Sequence, residues 1–425
     1  MNLKISSSIL TLFAAIQISY AQTLVEAGKA PVSGISQERV AKLDAMLEGA
    51  IQSRQVPGLV AMVVKDGKII YHSAKGMADV ESGIAMERNS IFRIASQTKA
   101  ITSTAIMMLW EEGKFRLDDP ISKFIPEFKN PQVLNTFRYS DTTFTSRPSS
   151  KEITIRHLLT HTSGLGYGVI DGDERIKMIY QKAGVTDLFT TENITIGESV
   201  KRLAKLPLHF EPGTKYTYSE GLDVLGYLIE IVSGMPFDQF LKTRLFDPLE
   251  MNDTRFYLSD DQAPRLVTVH TRKDNQWVGY PVTFYNPDYP KTGAKTFFSG
   301  GAGLSSTTGD YAKFLQMYLN GGIYNGKRIL SPHTITTIMT NQVGDLLGEG
   351  GKDYGLAFGI VDQKGVQLGG IGSLGTFDWG GYFNTQYFAD PKEKIIGLIF
   401  KQTSGAGNGD ETGWKFRQMV FTLVE

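Results

Sequence analysis

The sequence predicts an α+β fold: one sheet built from both ends of the chain, with a mainly helical lobe inserted between them. Two observations predict it. Strand-like runs occupy residues 59–71 and return after 350, whereas the stretch from about 98 to 340 carries apolar residues at helical spacing. The 425 residues contain neither an internal repeat nor a low-complexity tract. A single unit with a discontinuous sheet domain therefore fits better than independent modules.

Taken in order, the first segment reads as an export signal, residues 1–21. Lys4 gives a positive start, Ile9 to Ile18 an apolar stretch, and Ser19-Tyr20-Ala21 a small-x-small cleavage site, with no charge between Lys4 and Glu26. Cleavage near Ala21 would leave residues 22–425 exported, in the periplasm or secreted; the alternatives are a buried N-terminal helix and an uncleaved anchor. Val40, Leu43, Met46, Leu47 and Ile51 predict an amphipathic helix over 38–54, which Pro57-Gly58 stops. Leu59 to Val64 and Lys68 to Tyr71 flank Asp66-Gly67, a hairpin signal because that turn needs positive φ. Helices are expected over 98–112 and 222–233, with Gly113 and Gly234 at their C-termini. Loops rich in Pro, Thr, Ser and Asp fill 129–150 and 166–195 and are expected to wall a cleft. Strands follow at Tyr354 to Val361, Tyr382 to Ala389 and Ile395 to Phe400, then a terminal helix from Trp414 to Leu423. The sheet lobe thus spans about 38–95 and 340–425, and the helical lobe about 96–339.

Composition narrows the function. Forty-four basic residues balance 44 acidic ones, which removes the electrostatic footprint of a nucleic-acid binder. Cysteine is absent, so disulfides, thiolate metal sites and a cysteine nucleophile are excluded. Beyond the leader, no stretch approaches the ~20 apolar residues of a membrane span, so no stable membrane insertion is expected. Oligomeric state is left open.

Motifs narrow it further. The chain lacks Gly-x-Ser-x-Gly, His-Glu-x-x-His, a Walker loop and a Gly-x-Gly-x-x-Gly after a strand. Of six histidines only His157 and His161 share an i,i+4 spacing; no acidic residue lies between them, so no metal site is expected, nor any cofactor. Ser96-Gln97-Thr98-Lys99 is the chain's one Ser-x-x-Lys, following Ile91 to Ala95 and opening a predicted helix. Ser96 there is either a helix N-cap or a nucleophile with the Lys99 amine beside it on one helix face. The helix N-terminus would then stabilise an oxyanion. Tyr218, in the turn-rich run Glu211 to Ser219, is either packing or a phenol able to shuttle protons. Trp379-Gly380-Gly381-Tyr382 marks either a bulge or a strand edge along which a substrate lies, with the Tyr382 N–H as an oxyanion donor.

Together these motifs resemble the serine β-lactamase and penicillin-recognising family, in the class C-like branch with its D-Ala-D-Ala peptidases and family VIII carboxylesterases. The resemblance covers roughly residues 38 to 420. It adds the Pro57-Gly58 hairpin, Leu117-Asp118-Asp119-Pro120, Ile155 to Leu165, Pro212-Gly213 with Tyr218-Ser219, Leu225-Gly226, and Gly300 to Leu304 with Asp310. It implies the β-lactamase/DD-peptidase fold, an antiparallel sheet flanked by helices. It also implies Ser96 as nucleophile, Lys99 as activating partner and Tyr218 as general base and acid, with the Ser96 and Tyr382 N–H groups as oxyanion hole. His157 and His161 match a structural signature. Two departures bear on substrate, an ester, amide or lactam. Trp379-Gly380-Gly381 stands where the β-lactamases carry a cation, which suits neutral esters as in family VIII. Glu220 stands where they carry an asparagine that binds a substrate amide; a carboxylate there would repel anions or welcome an amine. The resemblance therefore implies a carboxylesterase first, then a β-lactamase or D-amino-acid peptidase using the same acylation. A third alternative is a binding or sensor protein that acylates without turnover.

Overall fold

A computed structural model describes residues 23–26, 33–348, 350–369, 372–404 and 409–425. The leader proposed for residues 1–21 lies outside them. Among the described residues no helix is long and apolar enough to cross a membrane.

The central sheet takes strands from both chain ends. They are β1 (Val25–Glu26), β2 (Gly58–Lys65), β3 (Lys68–Asp79), β4 (Lys352–Tyr354), β5 (Gly359–Val361), β6 (Phe377–Gly381), β7 (Thr385–Asp390) and β8 (Ile395–Phe400), in spatial order β1-β3-β2-β8-β7-β6-β5-β4. The short strand Ile84–Ala85 also pairs with β3. Every pairing is antiparallel except β1 on β3. Asp66 (φ 51°) and Gly67 (φ 77°) make the two-residue turn between β2 and β3, as that dipeptide predicts. β2 and β8 join the two chain ends, Val60 opposite Phe400 and Val64 opposite Ile396.

Because side chains alternate across a strand, the sheet carries two cores. Leu59, Ala61, Val63, Phe388 and Ile399 pack against α1 (Gln37–Gln52) and the terminal helix. Val60, Met62, Phe377, Ala389 and Leu398 pack against the inserted helices, chief among them α2 (Thr98–Glu111) and α3 (Gly221–Ser233). α2 is buried from Thr98 to Leu109, and a helix buried all round must satisfy its polar side chains internally. Thr102 Oγ1 bonds Gly300 O at 2.7 Å, Ser103 Oγ bonds Leu356 O at 2.8 Å, and Thr104 Oγ1 bonds Ala100 O at 2.8 Å. The terminal helix, α4 (Thr412–Phe421), covers the outer face.

Four local expectations are corrected. Residues 354–361 form two short strands around a turn rather than one, with Ala357 at φ 68°. The strand expected from Tyr382 starts at Thr385, because Tyr382 to Asn384 turn the chain (Asn384 φ 71°) and Trp379 to Gly381 belong to the preceding strand. Residues 129–150 contain the hairpin Gln132–Arg138/Thr143–Pro148, in which Val133 alone is buried and the second strand is wholly exposed, so no alternation marks it. Residues 166–195 contain the helix Glu174–Ala183, whose start is capped by Asp173 accepting the Arg175 N–H at 3.0 Å.

Candidate active site

Ser96 is not an N-cap. It sits in a single 3₁₀ turn, Ala95–Gln97, that precedes α2, and α2's own N-cap, Gln97, makes no side-chain cap bond. Ala95 is held at φ 43°, a left-handed conformation costly for a residue with a side chain. Surrounding bonds impose it. Ile94 N bonds Leu304 O at 3.0 Å, Gln97 N closes the turn on Ile94 O at 3.0 Å, and Arg93 pairs with Ser305. Arg93 itself, 1% exposed, reaches Pro287 O and Val267 O at 2.7 Å each.

Lys99 lies one turn further on, wholly buried, and the i,i+3 spacing places its Nζ 3.4 Å from Ser96 Oγ. Its shorter bond goes elsewhere: Nζ donates to Gly301 O at 2.8 Å. The ammonium also lies 4.5 Å from the Tyr218 ring centroid and 5.4 Å from that of Tyr167. Tyr218 is thus brought to the same place, its hydroxyl buried and, among the described residues, without a hydrogen-bond partner.

The loop bearing Tyr218 is braced by the His157–Leu165 segment. Gly213 N bonds Thr162 O at 2.7 Å and Thr217 N bonds His161 O at 2.8 Å. His161 Nδ1 accepts the Ser219 N–H at 3.2 Å, and its ring lies 4.6 Å from that of Tyr218. Burial, then the Lys99 charge, holds His161 well below the ordinary histidine range, so it stays neutral as that acceptor requires. His157 closes a capping box with Thr154, accepting the Thr154 N–H through Nδ1. Both histidines brace loops. Among the described residues no group of three or more His, Cys, Asp or Glu is arranged to hold a metal ion.

Trp379, Gly380 and Gly381 form the free end of β6, beyond the last residue pairing with β5, Asp378. Trp379 stacks on Tyr218 at 5.9 Å and 30°. A Cβ on Gly381 would stand 2.4 Å from Ile94 O, so the strand end abuts the turn bearing Ser96, and the Tyr382 N–H follows directly. A cleft of about 670 Å³ wraps this edge, with Ser96, Tyr216, Tyr218, Trp379, Gly380 and Gly381 in its wall.

Glu220 is a correction: it does not reach the cleft. It is 2% exposed, and its carboxyl lies among Asp187 and Asp223, where burial first and then those carboxylates push its pKa well above the usual range. The cause is that Glu220 immediately precedes α3, and its N–H bonds Gly166 O at 3.1 Å, which turns the side chain inward. Sequence reasoning missed other groups: the Gly301 carbonyl, Asp223, and the cleft-lining Lys352 and Arg417. Gly301 belongs to the Gly300–Leu304 motif, whose spacing assigns it no role; Lys352 and Arg417 carry no local signal, being brought in by pairing and packing.

A family model described as Beta-lactamase matches residues 43–418. "Protein Rv1367c" of Mycobacterium tuberculosis (strain ATCC 25618 / H37Rv) is 34% identical over 361 residues, 81% of this chain and 85% of that protein. "Esterase EstB" of Burkholderia gladioli is 30% identical over 397 residues, 90% of this chain and 95% of that protein. Among solved structures, "EstCE1, a hydrolase with promiscuous acyltransferase activity" has a TM-score of 0.77 at 26% identity, covering 91% of this chain and 99% of the other. The chain belongs to the Beta-lactamase family and is an enzyme of serine-hydrolase type.

Proposed function

We propose that this member of the Beta-lactamase family is an exported serine carboxylesterase. The observation carrying the reading is the convergence of Ser96, Lys99 and Tyr218 beside a strand edge whose third motif offers Trp379 and two glycines in place of a cation. Ser96 Oγ attacks the ester carbonyl carbon while its proton passes to the Tyr218–Lys99 pair. The N–H groups of Ser96 and Tyr382 stabilise the oxyanion at the start of α2. Collapse breaks the ester C–O bond, and the alcohol leaves with the transferred proton. Water then adds to the acyl-enzyme through the same base, releasing the acid and restoring the Ser96 hydroxyl. The esterase named among the relatives supports the reading.

One observation favours a second reading, β-lactam or D-amino-acid peptide cleavage by the same acylation. Asp378, on the face of β6 opposite Trp379, is flanked by two cations, Lys352 at 2.7 Å and Arg417 at 2.5 Å, and all three line the same cleft as Ser96, so the cleft carries a net positive charge that would draw an anionic substrate. The test is turnover of p-nitrophenyl acetate and butyrate beside nitrocefin, for wild type and Ser96→Ala. Ester turnover abolished in the variant, with little nitrocefin cleavage, is the expected result. Strong nitrocefin turnover selects the second reading, and a stable acyl mass adduct without turnover selects the sensor. Ester turnover that survives Ser96→Ala refutes the mechanism. Export is tested on secreted or periplasmic protein, whose intact mass should correspond to a chain beginning at Gln22.

A further inference from the structure

We propose that Asp223 is a positioning residue for Lys99, acting through the turn Ser299 to Ala302; the inference rests on Lys99 being the partner of Ser96. Lysine is a point charge on a flexible stem, so its acceptors decide where the amine sits. The shorter of its two bonds is to Gly301 O, at 2.8 Å against 3.4 Å for Ser96 Oγ. Whatever places the Gly301 carbonyl therefore places the amine.

Glycines cannot hold that turn by their own side chains. One oxygen of Asp223 does so instead: Oδ1 accepts the Ser299 hydroxyl at 2.7 Å and the Gly301 N–H at 2.9 Å. Ser299 Oγ in turn accepts the Ala302 N–H at 3.0 Å. The turn is pressed between two helices. A Cβ on Gly300 would stand 2.3 Å from Leu222 O of α3, and Gly300 O accepts from Thr102 of α2. A Cβ on Gly301 would stand 3.3 Å from Asp223 Oδ2 and from the Tyr167 hydroxyl, so the turn fits closely over the carboxyl.

Asp223 is 2% exposed and does not line the cleft, so it acts through the turn and not on substrate. It lies in the first turn of α3, where the helix dipole favours a carboxylate. Tyr218 lies five residues earlier. One helix start thus fixes the loop bearing Tyr218 and the carbonyl that holds Lys99. A buried carboxyl group with one oxygen unpaired among the described residues costs stability, and the position of the amine is what it supplies.

The test compares Asp223→Asn, Asp223→Ala and Ser299→Ala with wild type, Ser96→Ala and Lys99→Ala, on p-nitrophenyl butyrate, with folding checked by circular dichroism. Asp223→Ala should lower kcat about 100-fold, the effect of a ~1 Å misplacement of a catalytic group, with KM within about threefold of wild type. Ser299→Ala removes one hydroxyl and little else, and should lower kcat about 10-fold by the same partial misplacement. Asp223→Asn keeps an oxygen for both donors and should recover kcat to within about fivefold of wild type. Wild-type kcat in Ser299→Ala or in folded Asp223→Ala overturns the inference. So does an effect on KM alone, or an Asn variant as impaired as Ala, which would make the charge and not the turn the cause. If Lys99→Ala or Ser96→Ala keeps wild-type turnover, the underlying catalytic reading falls instead.

Discussion

A single methyl group at Gly381 tests whether the free end of β6 sets the position of Ser96. An alanine Cβ there would stand 2.4 Å from Ile94 O and 2.4 Å from Thr385 Oγ1. Thr385 can turn, since its buried hydroxyl has no hydrogen-bond partner among the described residues. Ile94 O cannot, because it accepts the Gln97 N–H at 3.0 Å and so closes the turn that presents Ser96. Relief to an ordinary contact of about 3.4 Å requires the strand and the turn to separate by roughly 1 Å. Overpacking of this kind costs about 1–3 kcal/mol. At ~2.1 cal/mol/K per residue, a chain of 425 residues loses about 1–4 °C of Tm. The same ~1 Å at the nucleophile is expected to cost about 100-fold in kcat. Gly380→Ala is the control, for its Cβ meets no atom closer than Thr385 O at 3.3 Å. The assay is kcat and KM on p-nitrophenyl butyrate with a thermal melt of each variant. Gly381→Ala within threefold of wild-type kcat, or Gly380→Ala equally damaged, would refute the claim that this contact sets the turn.

Three further outcomes follow from the same contacts. Trp379→Ala removes a ring stacked on Tyr218, worth about 0.5–1.5 kcal/mol, so ester kcat/KM should fall about 2- to 12-fold; Trp379→Lys should in addition raise nitrocefin turnover relative to ester, and an unchanged ratio would remove Trp379 from specificity. Glu220, its pKa raised by burial, keeps its proton in the fold while the unfolded chain loses it near 4.5. Its stabilising effect is therefore complete below that pH and is lost as pH rises, so Glu220→Gln should gain Tm over wild type from pH 5 to 8 without loss of activity; a pH-independent difference would contradict the assignment. Lys401 and Asp410, 1% and 6% exposed and 2.6 Å apart, form a buried pair. Lys401→Met strands the carboxylate and should cost about 3–5 kcal/mol in urea unfolding, whereas a loss below ~1 kcal/mol would mean solvent reaches Asp410.

Much of the fold was legible because its signals are local. The Asp66-Gly67 turn, the apolar run of β2 and the spacing in α2 and α3 each report their own backbone, and all were found within a few residues. The misses also have physical causes. The hairpin at 132–148 buries only Val133 and its second strand is wholly exposed, so no alternation marks it, and the glycines at 380 and 381 read as leading into a strand although they end the preceding one.

The sequence by itself determined the sheet built from both ends and the Ser96–Lys99 spacing, since an i,i+3 pair on a helix meets whatever surrounds it. Tertiary structure alone decided what those groups face. Only packing turns Glu220 inward, and only the contact between Gly381 and Ile94 O ties the far strand to the Ser96 turn. Asp223 and Lys99 are 124 residues apart in the chain, and no periodicity reports that one carboxylate oxygen holds the carbonyl that holds the amine. Such relations exist only once the chain is closed on itself, because they depend on distances between elements and not on spacing within one.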